Sequence, residues 1–297
     1  MRHWLERFRH LLEMIRFSHT LFALPFALLA AAMAYTQRAA ADPPLPWRWR
    51  ELAGLLLCMV FARSAAMAFN RLVDRDVDAL NPRTSMRHLP AGLLSVAAVA
   101  GFTVACAILF VASTALFLPN RWPLWLSLPV LAWLLGYSFT KRFTWLAHFW
   151  LGGALMLAPV AAWIAVAGTL GWAPLVLGAA VLLWVAGFDI IYACQDADFD
   201  RQRGLASVPA RFGVAAALRI SAVCHLGTVA LLALLPLAFP PLGAVYVVGV
   251  AGVGLLLVYE HWLVRPDDLT RVNAAFFHVN WIISVGLLVV GTADLWA

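Results

Sequence analysis

Nine runs of mostly apolar residues dominate this 297-residue chain, at 17–36, 52–69, 93–118, 122–139, 145–167, 171–192, 214–237, 242–259 and 275–293. A helix needs about 20 such residues to cross the hydrocarbon core of a bilayer. The composition agrees: 64% of residues are hydrophobic and 12% charged, where a soluble domain is about half apolar and a quarter charged. The sequence therefore predicts an all-α integral membrane protein with nine transmembrane helices in one bundle, cytoplasmic loops capping it, and residues 1–297 in a single membrane domain. The first run follows a basic stretch and precedes "AAAD", a signal-peptide-like arrangement. Its long basic region and the eight further runs favour an uncleaved first helix.

The net charge of +6 does not point to nucleic acid, because its distribution follows topology. With the N-terminus in the cytoplasm, 15 of the 21 lysines and arginines fall in the N-terminal tail and in the loops after the second, fourth, sixth and eighth helices. That is the positive-inside bias of a multi-pass inner-membrane protein. The four cysteines, Cys58, Cys106, Cys194 and Cys224, have no paired spacing and read as free thiols. The eight histidines also lack metal-ligand spacing.

Against this apolar background, "NRLVDRDVDALNPRTSMRHLPAG" at 70–92 holds four arginines, three aspartates and two asparagines. On a helix, Asp74 and Asp78 lie about 40° and about 80° round from Asn70, one stripe, while Asp76 lies at about 240° and faces away. A second cluster, "GFDIIYACQDADFDRQRG" at 187–204, repeats the arrangement. Asp189, Tyr192, Asp196 and Asp200 share a face and Asp198 opposes them. Both clusters end even-numbered helices, on the cytoplasmic side. Two carboxylates about 6 Å apart repel by roughly 3 kcal/mol at an effective dielectric of 20. Such stripes need neutralising, and carboxylate oxygens are natural ligands of Mg²⁺, which completes its shell with phosphate oxygens. Asp189 lies a turn deeper in its helix, where a carboxylate is costly and functional by default.

Basic residues accompany the acids: Arg63, Arg71, Arg75, Arg83 and Arg87 around the first cluster, Lys141 and Arg142 after the fourth helix, and Arg201, Arg203 and Arg211 after the second cluster. Arginine grips phosphate through two nitrogens and lysine acts as a point charge. Acid for metal and base for anion describe a magnesium–diphosphate site. Asp76, Asp198, Arg201 and Arg203 read as ordinary interfacial charges. Tyr137 and Tyr192 fit either an interfacial belt or the site, and His19 either a core position or the site.

The motifs resemble a known family. "NRLVDRDVD" is similar to the NxxxDxxxD signature of the UbiA superfamily of intramembrane prenyltransferases, and "YACQDADFD" to its YxxxDxxxD signature. Arg63, "NPRTSMRHLPAG" and "YSFTKRFT" resemble further family stretches, with His88 where proline is usual. The resemblance spans nearly the whole chain and implies a Mg²⁺-dependent enzyme taking a polyprenyl diphosphate. By that analogy Asn70, Asp74, Asp78, Asp196 and Asp200 carry the metal ions. Arg63, Asn70, Lys141 and Arg142 hold the diphosphate, supported by Tyr137 and Tyr192. Asp189 serves as base or orients the acceptor, with Arg16 and His19 near it. The subgroup features "FSHTLFALPFAL" and "GFDIIYACQDADFD" resemble 4-hydroxybenzoate-prenyltransferase-like members, in quinone biosynthesis.

Other readings stay open on sequence alone. The same donor chemistry serves 1,4-dihydroxy-6-naphthoate in the futalosine route to menaquinone, a lipid glycerol phosphate, or a haem or chlorophyll precursor. From another class, a cation transporter also uses membrane carboxylates, though its ion site usually lies near the bilayer midplane.

Overall fold

In the computed structural model the described residues are 9–14, 22–41, 43, 46 and 48–297. Among them, eight helices are long and apolar enough to cross a membrane: Trp49–Val73, Val96–Phe117, Trp122–Thr140, Ala147–Ala167, Trp172–Gln202, Val214–Ala238, Ala244–Leu263 and Val272–Trp296. Each matches one of the last eight apolar runs. The first run reaches into residues outside those described, and its described residues, 22–36, lie mostly in the 16-residue helix α1, Leu24–Ala39. The element types match the sequence reading because a bilayer supplies no water to backbone amides, so an apolar run satisfies them as a helix.

The chain divides into two compact units, one holding Trp49–Phe139 with the described residues of 1–20, the other Thr140–Ala297 with the described residues of 21–48. In the first, α2 (Trp49–Val73) continues through the short α3 (Arg75–Leu80), and α4 (Val96–Ser113) packs along α2. Ser95 starts α4 by accepting a hydrogen bond from the Ala98 amide at 3.2 Å. A core of Met14, Ala68, Leu94 and Val99 ties the N-terminal residues to these helices. Helix α5, Trp122–Thr140, completes the unit's spans.

In the second unit α6 (Ala147–Ala167), α7 (Trp172–Ala193) and α10 (Val214–Ala238) form the centre, after the short helices α8 (Ala197–Gln202) and α9 (Val208–Phe212) are passed. Helix α7 packs on both α6 and α10, while α1 packs on α6. Gly168 ends α6 at φ +76°, a left-handed position that suits glycine. Helices α11 (Ala244–Leu263) and α12 (Asn280–Trp296) pack together and carry a buried polar pair: Asn280 Nδ2 donates to Glu260 Oε1 at 3.0 Å. The aromatic core joins Phe22, Phe26, Trp184, Phe188 and Phe276 by ring contacts between 4.9 and 6.5 Å. Large apolar side chains such as Leu226, Leu255 and Val248 are exposed, as lipid-facing residues of a membrane protein are.

The close approach of α6 and α7 depends on a missing side chain. A Cβ built on Gly152 would collide with the carbonyl oxygen of Leu182. Small residues let membrane helices meet backbone to backbone, and dispersion contacts then replace the hydrophobic drive that lipid does not supply.

Candidate active site

The first acidic cluster sits where α2 gives way to α3. Asp74 forms the joint at φ −93°, ψ 3°. Helical hydrogen bonds run through it: the Asp74 amide donates to the Asn70 carbonyl at 2.9 Å and the Asp78 amide to the Asp74 carbonyl at 2.7 Å. Asn70, Asp74 and Asp78 therefore keep one face, and Asn70 Nδ2 donates to Asp74 Oδ2 at 2.8 Å. Asp78 has an 8% exposed side chain and Asp76 an 85% exposed one. That contrast is the geometry the sequence periodicity predicts.

The segment after α3 folds back on Asp78. Thr84 Oγ1 donates to the Asp78 carbonyl at 3.0 Å, and Asn81 Oδ1 accepts from the Arg83 amide at 2.9 Å. This turn delivers Arg87, whose Nη1 donates to Asp78 Oδ1 at 2.6 Å, the length of a charge-assisted bond. Asp78 Oδ2 is buried without a hydrogen bond, with Arg71 Nη1 3.9 Å away. Arg63 presents a buried Nε that also has no hydrogen-bond partner. Arg75 turns outward to the exposed Asp76. Tyr137 is half-buried in this unit. His88, the departure from the family pattern, places Nε2 3.6 Å from Glu13 Oε2, beside His10 Nδ1 at 3.3 Å from the same oxygen. Hydrogen bonds from Arg9 and then His10 hold the Glu13 carboxyl below the usual carboxylate range. These three side chains form a ligand-like group that sequence spacing did not reveal, since His88 comes from a distant segment.

The second cluster repeats the joint. Helix α7 passes through a tight turn, Cys194–Asp196, into α8. Asp196 and Asp200 are buried, at 8% and 3% exposure. Asp198 is exposed and pairs with Arg201 at 3.1 Å. Asp200 Oδ2 is buried without a hydrogen bond, and Lys141 Nζ lies 3.7 Å from it. Backbone bonds fix this pairing: the Ala206 amide donates to the Lys141 carbonyl at 2.7 Å and the Leu205 amide to the Asp200 carbonyl at 2.8 Å. Arg142, Arg203 and Arg211 are exposed, and Arg211 lies over the Trp145 ring. Tyr192 packs on Phe276 with ring centres 4.4 Å apart.

Asp189 has a partner that sequence reading missed. His148 Nδ1 lies 2.7 Å from Asp189 Oδ2. His148 stands 41 residues earlier, at the start of α6, and no local pattern marks it. Arg16 and His19 lie outside the described residues. The four cysteines are free, as their spacing predicts.

Each motif thus supplies two carboxylates on one face, one of them with a buried oxygen that has no hydrogen bond. An anionic oxygen left this way is costly, and a hard divalent cation satisfies it with the ligand type it prefers. The residues present fit Mg²⁺ coordination. Arginine and lysine beside them suit a phosphorylated ligand.

Comparison with known proteins agrees with these features. The UbiA prenyltransferase family matches residues 21–281. Two proteins named 4-hydroxybenzoate octaprenyltransferase are similar: one from Marinobacter nauticus, 33% identical over 228 residues, 76% of each chain, and one from Tolumonas auensis, 34% identical over 76% of this chain and 77% of its own. Among solved structures, the apo form of a UbiA homolog from Aeropyrum pernix K1 superposes with a TM-score of 0.77 at 31% identity, covering 94% of this chain and 97% of its own. A UbiA homolog from Archaeoglobus fulgidus bound to DMAPP and Mg²⁺ shares the fold at a TM-score of 0.72 and 22% identity, over 97% of this chain and 99% of its own. The all-helical membrane fold, the two buried aspartate motifs and these matches together place the chain in the UbiA prenyltransferase family.

Proposed function

We propose that this chain transfers a polyprenyl group from an isoprenyl diphosphate to a hydroxylated aromatic carboxylate of the 4-hydroxybenzoate type, in quinone biosynthesis and with Mg²⁺. The observation that carries the reading is the pair of buried, non-hydrogen-bonded carboxylate oxygens, Asp78 Oδ2 and Asp200 Oδ2, one in each signature motif. The relatives named 4-hydroxybenzoate octaprenyltransferase support the acceptor class. The family match runs through both compact units, which supports a single catalytic domain. The basic N-terminal tail and even-numbered loops support an active site facing the cytoplasm.

In this reading Asn70, Asp74, Asp78, Asp196 and Asp200 hold the metal ions. Bound Mg²⁺ supplies Lewis-acid stabilisation of the negative charge on the departing diphosphate. Arg63, Lys141 and Arg142 hold the diphosphate oxygens, supported by Tyr137 and Tyr192. Preorganised cations of this kind act where charge develops. The allylic C–O bond breaks with its electron pair leaving on the diphosphate. The electron-rich ring carbon forms the new C–C bond, and the ring proton passes to Asp189. Arg16 and His19 complete the acceptor side.

The test is an assay of purified protein in detergent with Mg²⁺ and farnesyl diphosphate. Parallel reactions receive 4-hydroxybenzoate, 1,4-dihydroxy-6-naphthoate or no acceptor, and mass spectrometry follows product and diphosphate. Prenylated 4-hydroxybenzoate is expected, abolished by EDTA and restored by Mg²⁺. Product from the naphthoate alone reassigns the acceptor. Absence of diphosphate release from a folded protein, with longer donors also tried, overturns the enzyme reading in favour of transport. Turnover that resists chelation overturns the metal assignment.

A further inference from the structure

His148 is fully buried and both of its ring nitrogens are engaged. The Val208 amide donates to Nε2 at 3.2 Å. Nε2 therefore carries a lone pair, and the proton of the neutral ring sits on Nδ1. The bond made by one nitrogen fixes the tautomer at the other. Nδ1–H then donates to Asp189 Oδ2 at 2.7 Å. Among the described residues this is the one hydrogen bond to the Asp189 side chain, which keeps 16% of its surface exposed. Its second oxygen is left for a ligand.

The far side of His148 is equally informative. Val208 opens α9 and follows the segment whose Leu205 and Ala206 amides bond to the carbonyls of Asp200 and Lys141. The imidazole thus joins Asp189 to the segment that holds the Lys141–Asp200 pair. It reaches Asp189 because Gly152, one turn along α6, lets that helix close on α7.

We propose that His148 is a positioning residue: locked as the Nδ1–H tautomer by Val208, it holds Asp189 as an oriented carboxylate facing the aromatic acceptor. The inference rests on the prenyltransferase reading above. The ring C–H proton passes to Asp189 Oδ1 as the C–C bond forms. The Nδ1–H bond to Oδ2 keeps the carboxylate in register, and His148 itself neither gains nor loses a proton.

Two substitutions separate this role from simple anchoring of Val208. In His148→Asn the side-chain amide nitrogen takes the place of Nδ1 and keeps the donor to Asp189, but the acceptor for Val208 is lost. In His148→Gln the amide oxygen takes the place of Nε2 and keeps Val208, but the donor to Asp189 is lost. Prenylation of 4-hydroxybenzoate is measured with acceptor and donor varied separately, alongside thermal unfolding in detergent. His148→Gln is expected to lower kcat/KM for the acceptor about ten- to a hundredfold, the scale of a misplaced reacting group. Its KM for farnesyl diphosphate stays within about twofold of wild type. His148→Asn recovers most of the loss. In an Asp189→Asn background, His148→Gln has no further effect.

Wild-type acceptor kinetics in His148→Gln overturn the proposal. So do an Asn variant as impaired as the Gln variant, or independent, multiplying losses in the double variant, since these assign His148 to Val208 or to packing. Wild-type protein that prenylates no acceptor overturns the functional reading and this inference with it. An active wild type with unaffected His148→Gln kinetics overturns this inference alone.

Discussion

Replacing Asp200 by asparagine separates a metal ligand from a structural ion pair. Asp200 is 3% exposed and its Oδ2 lacks a hydrogen bond, while Lys141 Nζ stands 3.7 Å away. At an effective dielectric of 20, that separation corresponds to an attraction of about 4 kcal/mol. Burying the carboxylate costs several kcal/mol in lost hydration, so the two contributions nearly cancel. Lys141 is 34% exposed, which further screens the attraction. The neutral isostere should therefore fold, with stability within about 1 kcal/mol of wild type. Activity should respond differently. Removing one preorganised electrostatic group from a transition state lowers kcat on the order of 10² to 10³-fold. The assay is Mg²⁺-dependent prenyl transfer in detergent, with thermal unfolding on the same preparation. Asp198→Asn is the control, because that side chain is 87% exposed and pairs only with the exposed Arg201 among the described residues. Its activity should stay within about twofold of wild type. Asp200→Asn that keeps more than about a tenth of wild-type activity would falsify the ligand assignment. Loss of folding with the asparagine would instead make the Lys141 pair structural.

Two further outcomes follow from the packing. Arg87→Gln removes the 2.6 Å bond to buried Asp78 and should destabilise the protein by about 2 kcal/mol, the worth of a hydrogen bond to a charged group. Adding Asp78→Asn should return much of that stability, and thermal unfolding showing simple additivity refutes the coupling. Gly152→Ala forces a Cβ against the Leu182 carbonyl oxygen and should cost about 1–3 kcal/mol by overpacking. An unchanged melting temperature means that α6 and α7 do not meet so closely.

Much of the architecture was legible because two strong physical signals are local. Runs such as 214–237 and 122–139 must be helical in lipid, and the structure has helices at Val214–Ala238 and Trp122–Thr140. The i, i+4 spacing of Asp74 and Asp78 survives even a joint between two helices, because the backbone bonds continue across it. For the same reason Asp76 and Asp198 face outward while Asp78 and Asp200 are buried. The start of the last run was less legible. Residues 275–279 form a wider helical turn before α12 begins at Asn280, a change of pitch that apolarity does not encode.

The sequence by itself determined the membrane-spanning helices and the faces their carboxylates occupy, because hydrophobic length and helical period act within one segment. Tertiary structure alone decided which distant groups meet those carboxylates. Arg87 reaches Asp78 through a folded turn, Lys141 reaches Asp200 through bonds to 205–206, and His148 reaches Asp189 across two helices that a glycine allows to touch. Periodicity is blind to these partners: hydrogen bonds and close packing select them by position in space, and the members of each pair are separated along the chain by a folded turn or by most or all of α6 and α7.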